Sequence, residues 1–93
     1  MENGTGELEV KRLIRFDGGS SLKAYVDLSV NNQFLIKGLR VVEGKTGLFV
    51  SMPRQQGKDS KWYDSVVALD KEVRKAVGRV VLEAYEQTAE EQR

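Results

Sequence analysis

Leu22-Lys23-Ala24-Tyr25-Val26-Asp27-Leu28-Ser29-Val30 decides the fold. Its apolar residues take every second position, and Lys23, Tyr25, Asp27 and Ser29 fall between them. Such alternation marks a β-strand with one face buried and the other turned to water or a partner. Asn31-Asn32 follows, and asparagine tolerates positive φ, so the pair predicts a two-residue hairpin turn. Phe34–Glu43 reads as the next strand. Phe34 and Ile36 are in phase, Leu39 and Val41 are in the opposite phase, and the slip at Gly38 predicts a bulge. Gly44-Lys45-Thr46-Gly47 turns the chain again. Leu48–Pro53 is then a fourth strand, closed by the only proline of the chain.

Upstream, Glu7–Phe16 reads as the first strand. Leu8, Val10, Ile14 and Phe16 share one parity, interrupted by Arg12, and Asp17-Gly18-Gly19-Ser20 is a turn. Downstream, Arg54–Lys61 reads as a polar loop, and Trp62–Leu69 holds a short fifth strand with Trp62 as a core anchor. From Asp70 the period changes. Val73, Ala76, Val77, Val80, Val81, Ala84 and Tyr85 recur at helical spacing. Asp70 is a suitable N-cap, so a helix is expected from about Lys71 to Gln87. The order predicts an α+β domain, an antiparallel β-meander of four to five strands followed by one C-terminal amphipathic helix. The domain is expected over 7–87, between a disordered N-terminus (1–6) and an acidic C-terminal tail (88–93).

The 93 residues make one domain with a limited core. Cysteine and histidine are both absent. Disulfides, thiol chemistry and the commonest general base and metal ligand go with them. Gly44-Lys45-Thr46-Gly47 is no phosphate-binding loop, because Arg40 stands where the motif needs a further glycine and a strand follows instead of a helix. Neither catalytic residues nor a metal, cofactor or small-molecule substrate is expected. No run approaches the ~18 apolar residues of a membrane span, and Met1–Glu7 lacks the plan of a signal peptide. A cytoplasmic protein without membrane partners is the expectation.

Charge is unevenly spread. Residues 10–82 hold 14 Lys and Arg against 7 Asp and Glu, a net of +7, and each end carries −3. A basic body suits an anionic partner such as nucleic acid. Arg54, Lys58 and Lys61 stand beside Trp62 and Tyr63; cations release counterions from phosphates and aromatic rings stack on unpaired bases. Lys71, Lys75 and Arg79 form a ladder along the helix with Arg74 nearby. Their repulsion and their position at the N-terminal half are mildly unfavourable, which is consistent with use against phosphates. Asp70–Arg74 and Arg79–Glu83 pairs would relieve part of it.

Self-association follows from dimensions. Four or five strands about 4.8 Å apart make a sheet roughly 20 Å wide, and one helix covers about 10–12 Å of it. A second copy pairing through the sheet and helix would cover the remainder. Gly78, Leu82 and Tyr85 read as an exposed helix patch and as the dimer contact.

Gly38-Leu39-Arg40-Val41-Val42-Glu43-Gly44-Lys45-Thr46-Gly47-Leu48-Phe49-Val50-Ser51-Met52-Pro53 closely resembles the signature of the SpoVG family, the bacterial stage V sporulation protein G or septation-regulator proteins. Leu22–Val26, Trp62-Tyr63-Asp64 and Val81-Leu82-Glu83-Ala84-Tyr85 resemble the family too, so the likeness extends from about Val10 to Gln87. The resemblance implies a homodimeric, non-enzymatic regulator that binds DNA, and in some members RNA, with roles in sporulation and septation. Its usual basic pair after the Met-Pro is Gln55-Gln56 here, with Arg54, Lys58 and Lys61 adjacent. Its His-Pro before the helix is Val67-Ala68 here. The alternative is a protein-interaction adaptor of the septation machinery that does not bind nucleic acid directly.

Overall fold

The structure, a computed structural model, describes residues 7–16 and 18–91. The disorder expected over 1–6, and Asp17 of the first turn, lie outside these residues. Six strands precede one helix: β1 (Leu8–Arg15), β2 (Leu22–Val30), β3 (Phe34–Gly44), β4 (Gly47–Ser51), β5 (Arg54–Gln56), β6 (Trp62–Asp64) and α1 (Lys71–Glu91). The first four form one antiparallel sheet in the order β1-β2-β3-β4, and β5 and β6 form a separate two-stranded sheet. The chain is therefore an α+β domain built on a meander with a C-terminal helix, as expected. The polar loop expected over 54–61 instead begins with a strand, Arg54–Gln56. Gln55 and Gln56 pair with Tyr63 and Trp62, so the fifth strand belongs to a hairpin outside the meander.

The turns follow their residues. Asn31 and Asn32 have φ of 54° and 56°, and Gln33 N donates to Val30 O at 2.9 Å to close the turn. Gln33 adds a third loop residue, because the strands resume at the Val30–Phe34 pair. Lys45 and Thr46 make a two-residue turn between paired Gly44 and Gly47, with Gly47 at φ 127°.

Three register shifts interrupt the sheet. One, at Lys23 of β2, pairs Leu22 with Val42 and Ala24 with Val41, so Leu22 leaves the face that the sequence reading shared between it and Ala24. Two more set which side chains of β1 and β3 face the helix. Between Val26 and Asp27 of β2 the partner moves from Leu39 to Lys37. Gly38 is the extra residue, at φ 91°, where a side chain is strained. Its insertion keeps both Ile36 and Leu39 on the helix side, paired with Leu28 and Val26. The last, at Lys11 in β1, overturns the sequence reading. Val10 pairs with Leu28, but beyond the bulge Leu13 pairs with Val26 and Arg15 with Ala24. Leu13 and Arg15 thus face the helix, and Ile14 and Phe16 pass to the opposite face.

The core lies between β2, β3 and the helix. Leu28, Leu39, Val26, Val41 and Val81 are fully buried, with Ala24 and Val77 joining the cluster. Each large side chain contributes roughly 1.5–3 kcal/mol by leaving water. Arg15 fastens the helix over them. Its Nη1 donates to Tyr85 O at 2.8 Å, and its guanidinium carbon lies 3.9 Å from the Tyr85 ring centroid.

The helix starts where the sequence places it. Asp70 Oδ1 accepts from Val73 N at 2.9 Å, an N-cap bond. It ends later than expected, because the stretch assigned to an acidic tail stays helical through Glu91. No helix among the described residues is long and apolar enough to cross a membrane.

Two stability predictions follow from these contacts. A Cβ at Gly38 would meet no atom within 4 Å, so Gly38→Ala exposes the backbone cost alone. It is expected to remove about 1–2 kcal/mol in urea unfolding with an unchanged slope. Asp70→Ala is expected to cost about 1 kcal/mol. Midpoints equal to wild type would remove the bulge, or the cap, from this account.

Candidate nucleic-acid interface

The hairpin of β5 and β6 projects basic residues on a braced frame. Pro53 O accepts from Ser65 N at 2.9 Å, closing the base. Arg54 Nε meets Asp64 Oδ1 at 3.1 Å. Near the tip, Gly57 N donates to Lys61 O at 2.8 Å and Gln56 Nε2 to Ser60 O at 3.1 Å. Asp59 ties the turn together, accepting from Lys61 N at 3.1 Å and from the Tyr63 hydroxyl at 2.5 Å.

That last bond shifts both partners. The Tyr63 hydroxyl, and then the Lys61 amide, stabilise the Asp59 carboxylate and hold its pKa below the usual 3.8. The same bond raises the Tyr63 phenol above its usual 10.0. Lys58 and Lys61 sit exposed on this tip. Trp62 is 55% exposed and shares a hairpin face with Arg54 and Asp64. The sequence reading made it a core anchor. The two-stranded hairpin has no covered face for it, so the ring stays in solvent.

The expected basic residues divide into groups. Arg54 and Arg74 line the same groove, of about 520 Å³, between the hairpin, β4 and the helix, and Asp64, the partner of Arg54, lines it too. Lys71 and Lys75 stand exposed along the outer side of the helix. Arg79 turns instead toward the start of β1, where it lines a second cavity with Glu7 and Glu9, and two carboxylates there offset its charge. Neither Asp70–Arg74 nor Arg79–Glu83 forms an ion pair among the described residues.

The patch on the helix also differs from its sequence reading. Leu82 and Tyr85 are half-buried and pack against the core cluster. Tyr85 is held there by Arg15, a contact that the periodicity of β1 hides. Gly78 does border open space. It lines the same groove as Arg74, whose apolar wall is Leu48, Val50, Met52, Val77 and Leu82; Phe49 and Ser51 of the edge strand β4 line it as well.

Sequence reasoning missed three cations on the sheet. Arg12, Lys37 and Arg40 all lie on the face opposite the helix. The Lys11-Arg12 doublet in an otherwise apolar strand was the available signal. Among the described residues, no group of three or more Asp and Glu side chains is placed to hold a metal ion.

Known proteins resemble this chain along most of its length. The SpoVG family model matches residues 7–87. The SpoVG protein of Archaeoglobus fulgidus is 40% identical over 81 residues, covering 87% of this chain and 95% of that protein. That of Staphylococcus saprophyticus is 37% identical over 79 residues, 85% of this chain and 76% of the relative. That of Bdellovibrio bacteriovorus is 40% identical over 65 residues, 70% of this chain and 60% of the relative. The names of all three associate them with septation. With its meander, its helix and a family match spanning both, this chain belongs to the SpoVG family.

Proposed function

We propose that this protein is a non-enzymatic, dimeric regulator that binds nucleic acid through the hairpin and the adjoining helix. The observation that carries the reading is the convergence of Arg54 and Arg74 on one groove. Lys58, Lys61 and the exposed Trp62 stand on the hairpin, and Lys71 and Lys75 continue along the helix. The net charge of +7 over residues 10–82 supports a polyanionic partner. The family's association with septation suggests that the genes or transcripts it controls serve division or sporulation. DNA is the first candidate and RNA the second.

Self-association is part of the proposal. Within that one groove the two partners divide: Arg54 and Arg74 serve the nucleic acid, and the apolar wall of Leu48, Val50, Met52 and Leu82 beside Gly78 is where a second copy would continue the core. That groove also supports the second reading, a septation adaptor whose groove receives another protein. A light-scattering mass of two chains supports the dimer, and a mass of one chain removes it.

Replacing Arg54, Lys58 and Lys61 together by Ala is expected to weaken duplex DNA binding at low salt. If each cation neutralises one phosphate, the slope of log Kobs against log salt falls by about 2.7 in magnitude. No binding by wild type at low ionic strength, or an unchanged slope in the variant, would favour the adaptor.

The hairpin tip has its own pH dependence. Asp59 has a depressed pKa, so its bond to Tyr63 stabilises the turn above 3.8 and is lost as pH falls through the lowered value. The raised phenol keeps its proton through 10.0. Amide shifts of Gly57–Tyr63 are therefore expected to titrate with a midpoint below 3.8, and Tyr63→Phe should move that midpoint up toward 3.8. Equal midpoints in the two proteins would show that the hydroxyl does not hold the turn.

A further inference from the structure

We infer that the sheet face opposite the helix is a second nucleic-acid surface, which takes unpaired bases of a single strand on the rings of Tyr25 and Phe49. The inference rests on the nucleic-acid reading above and extends it to a different surface and a different form of ligand. The register places Ile14, Tyr25, Arg40 and Ser51 in one row across all four strands. Val42 and Phe49 are paired in the next row, and Arg12, Asp27 and Lys37 form the row on the other side.

The helix packs on the other side of the sheet, against the buried cluster, and Arg12, Ile14 and Lys37 of these rows are exposed. Tyr25 is 38% exposed and Phe49 is 49% exposed. Aromatic rings held open on a sheet are stacking platforms, and stacking accepts any base because every base has a π-face. Rows along a strand are about 7 Å apart and strands about 4.8 Å apart. Tyr25 and Phe49, one row and two strands apart, are therefore separated enough to receive two different bases.

The Tyr25 ring is held ready. Phe16 meets it edge to face, with centroids 5.1 Å apart and planes at 88°. The Arg40 guanidinium carbon lies 5.9 Å from its centroid, and a guanidinium plane is itself a surface for a base. Arg12, Lys37 and Arg40 form no ion pair among the described residues. Asp27 is the only acidic residue in these rows. Charge complementarity therefore favours a polyanion here and disfavours a second copy of the same basic face. A duplex has its bases stacked inside and offers the rings nothing, so the face should discriminate between strands.

The test compares a labelled oligothymidylate of about 12 nucleotides with a duplex of the same length, by fluorescence anisotropy at low salt. Wild type is set beside Tyr25→Leu, Phe49→Leu and Arg40→Gln, each checked by its thermal unfolding midpoint. Phe49 lies on an edge strand, so its variant keeps the test alive should Tyr25→Leu fail to fold. Either ring variant is expected to weaken single-strand binding about fivefold or more, with duplex binding within about twofold of wild type. Single-strand binding unchanged in the folded variants, or an equal loss for both ligands, overturns the inference and leaves the hairpin-and-helix reading standing. Wild type that binds neither ligand overturns both.

Discussion

Leu28, Val26, Ala24, Leu39 and Val41 are buried in one cluster with Val77 and Val81 of the helix, and Val73, Val80, Leu82 and Tyr85 pack around it. In so small a domain this one contact between sheet and helix carries most of the apolar burial, and little is available to replace it. The remaining features either keep the two layers in register or use surface that the contact leaves free. The helix packs along β1, β2 and β4 on one side of the sheet, which leaves Ile14, Tyr25 and Phe49 exposed on the other.

Register is therefore the second constraint. Side chains alternate along a strand, so one inserted residue exchanges everything beyond it between faces. Gly38 does this in β3 and Lys11 in β1. The two insertions bring Leu39, Leu13 and Arg15 to the helix. They also assemble Ile14, Phe16, Tyr25 and Arg40 on the open face. One device thus composes both surfaces, and the polar and aromatic character of the outer face is a by-product of completing the inner one.

The readability of the chain follows the same physics. β2 was legible because its two faces meet different surroundings, and its alternation holds from Ala24 to Val30; the shift at Lys23 that turns Leu22 away left no mark in the pattern. The bulge at Gly38 was legible because a glycine coincides with a change of phase. The bulge at Lys11 was not, since a lysine needs no special backbone and both Ile14 and Leu13 are apolar. Misassigning that phase also hid Arg15, whose role depends on a helix seventy residues away. The β5–β6 hairpin was illegible for another reason. Its ladder is held by polar side chains such as Asp59 and Gln56, which leave no hydrophobic period. The Arg54–Tyr63 segment was recognisable as a basic, aromatic stretch, but the groove that joins Arg54 to Arg74 is a product of folding and has no counterpart in local sequence.

Arg15 and Tyr85 also order events during synthesis. The four strands of the meander pair with neighbours and can associate as they emerge. The clasp on the first strand must wait for a residue 70 positions later, roughly 4–14 s at ordinary translation speeds. Throughout that interval the apolar side of the sheet has no lid. Nascent chains crowded on one messenger would therefore meet each other through that side before each chain's own helix arrives. A cell making this protein has reason to space its ribosomes or to shield the half-made sheet.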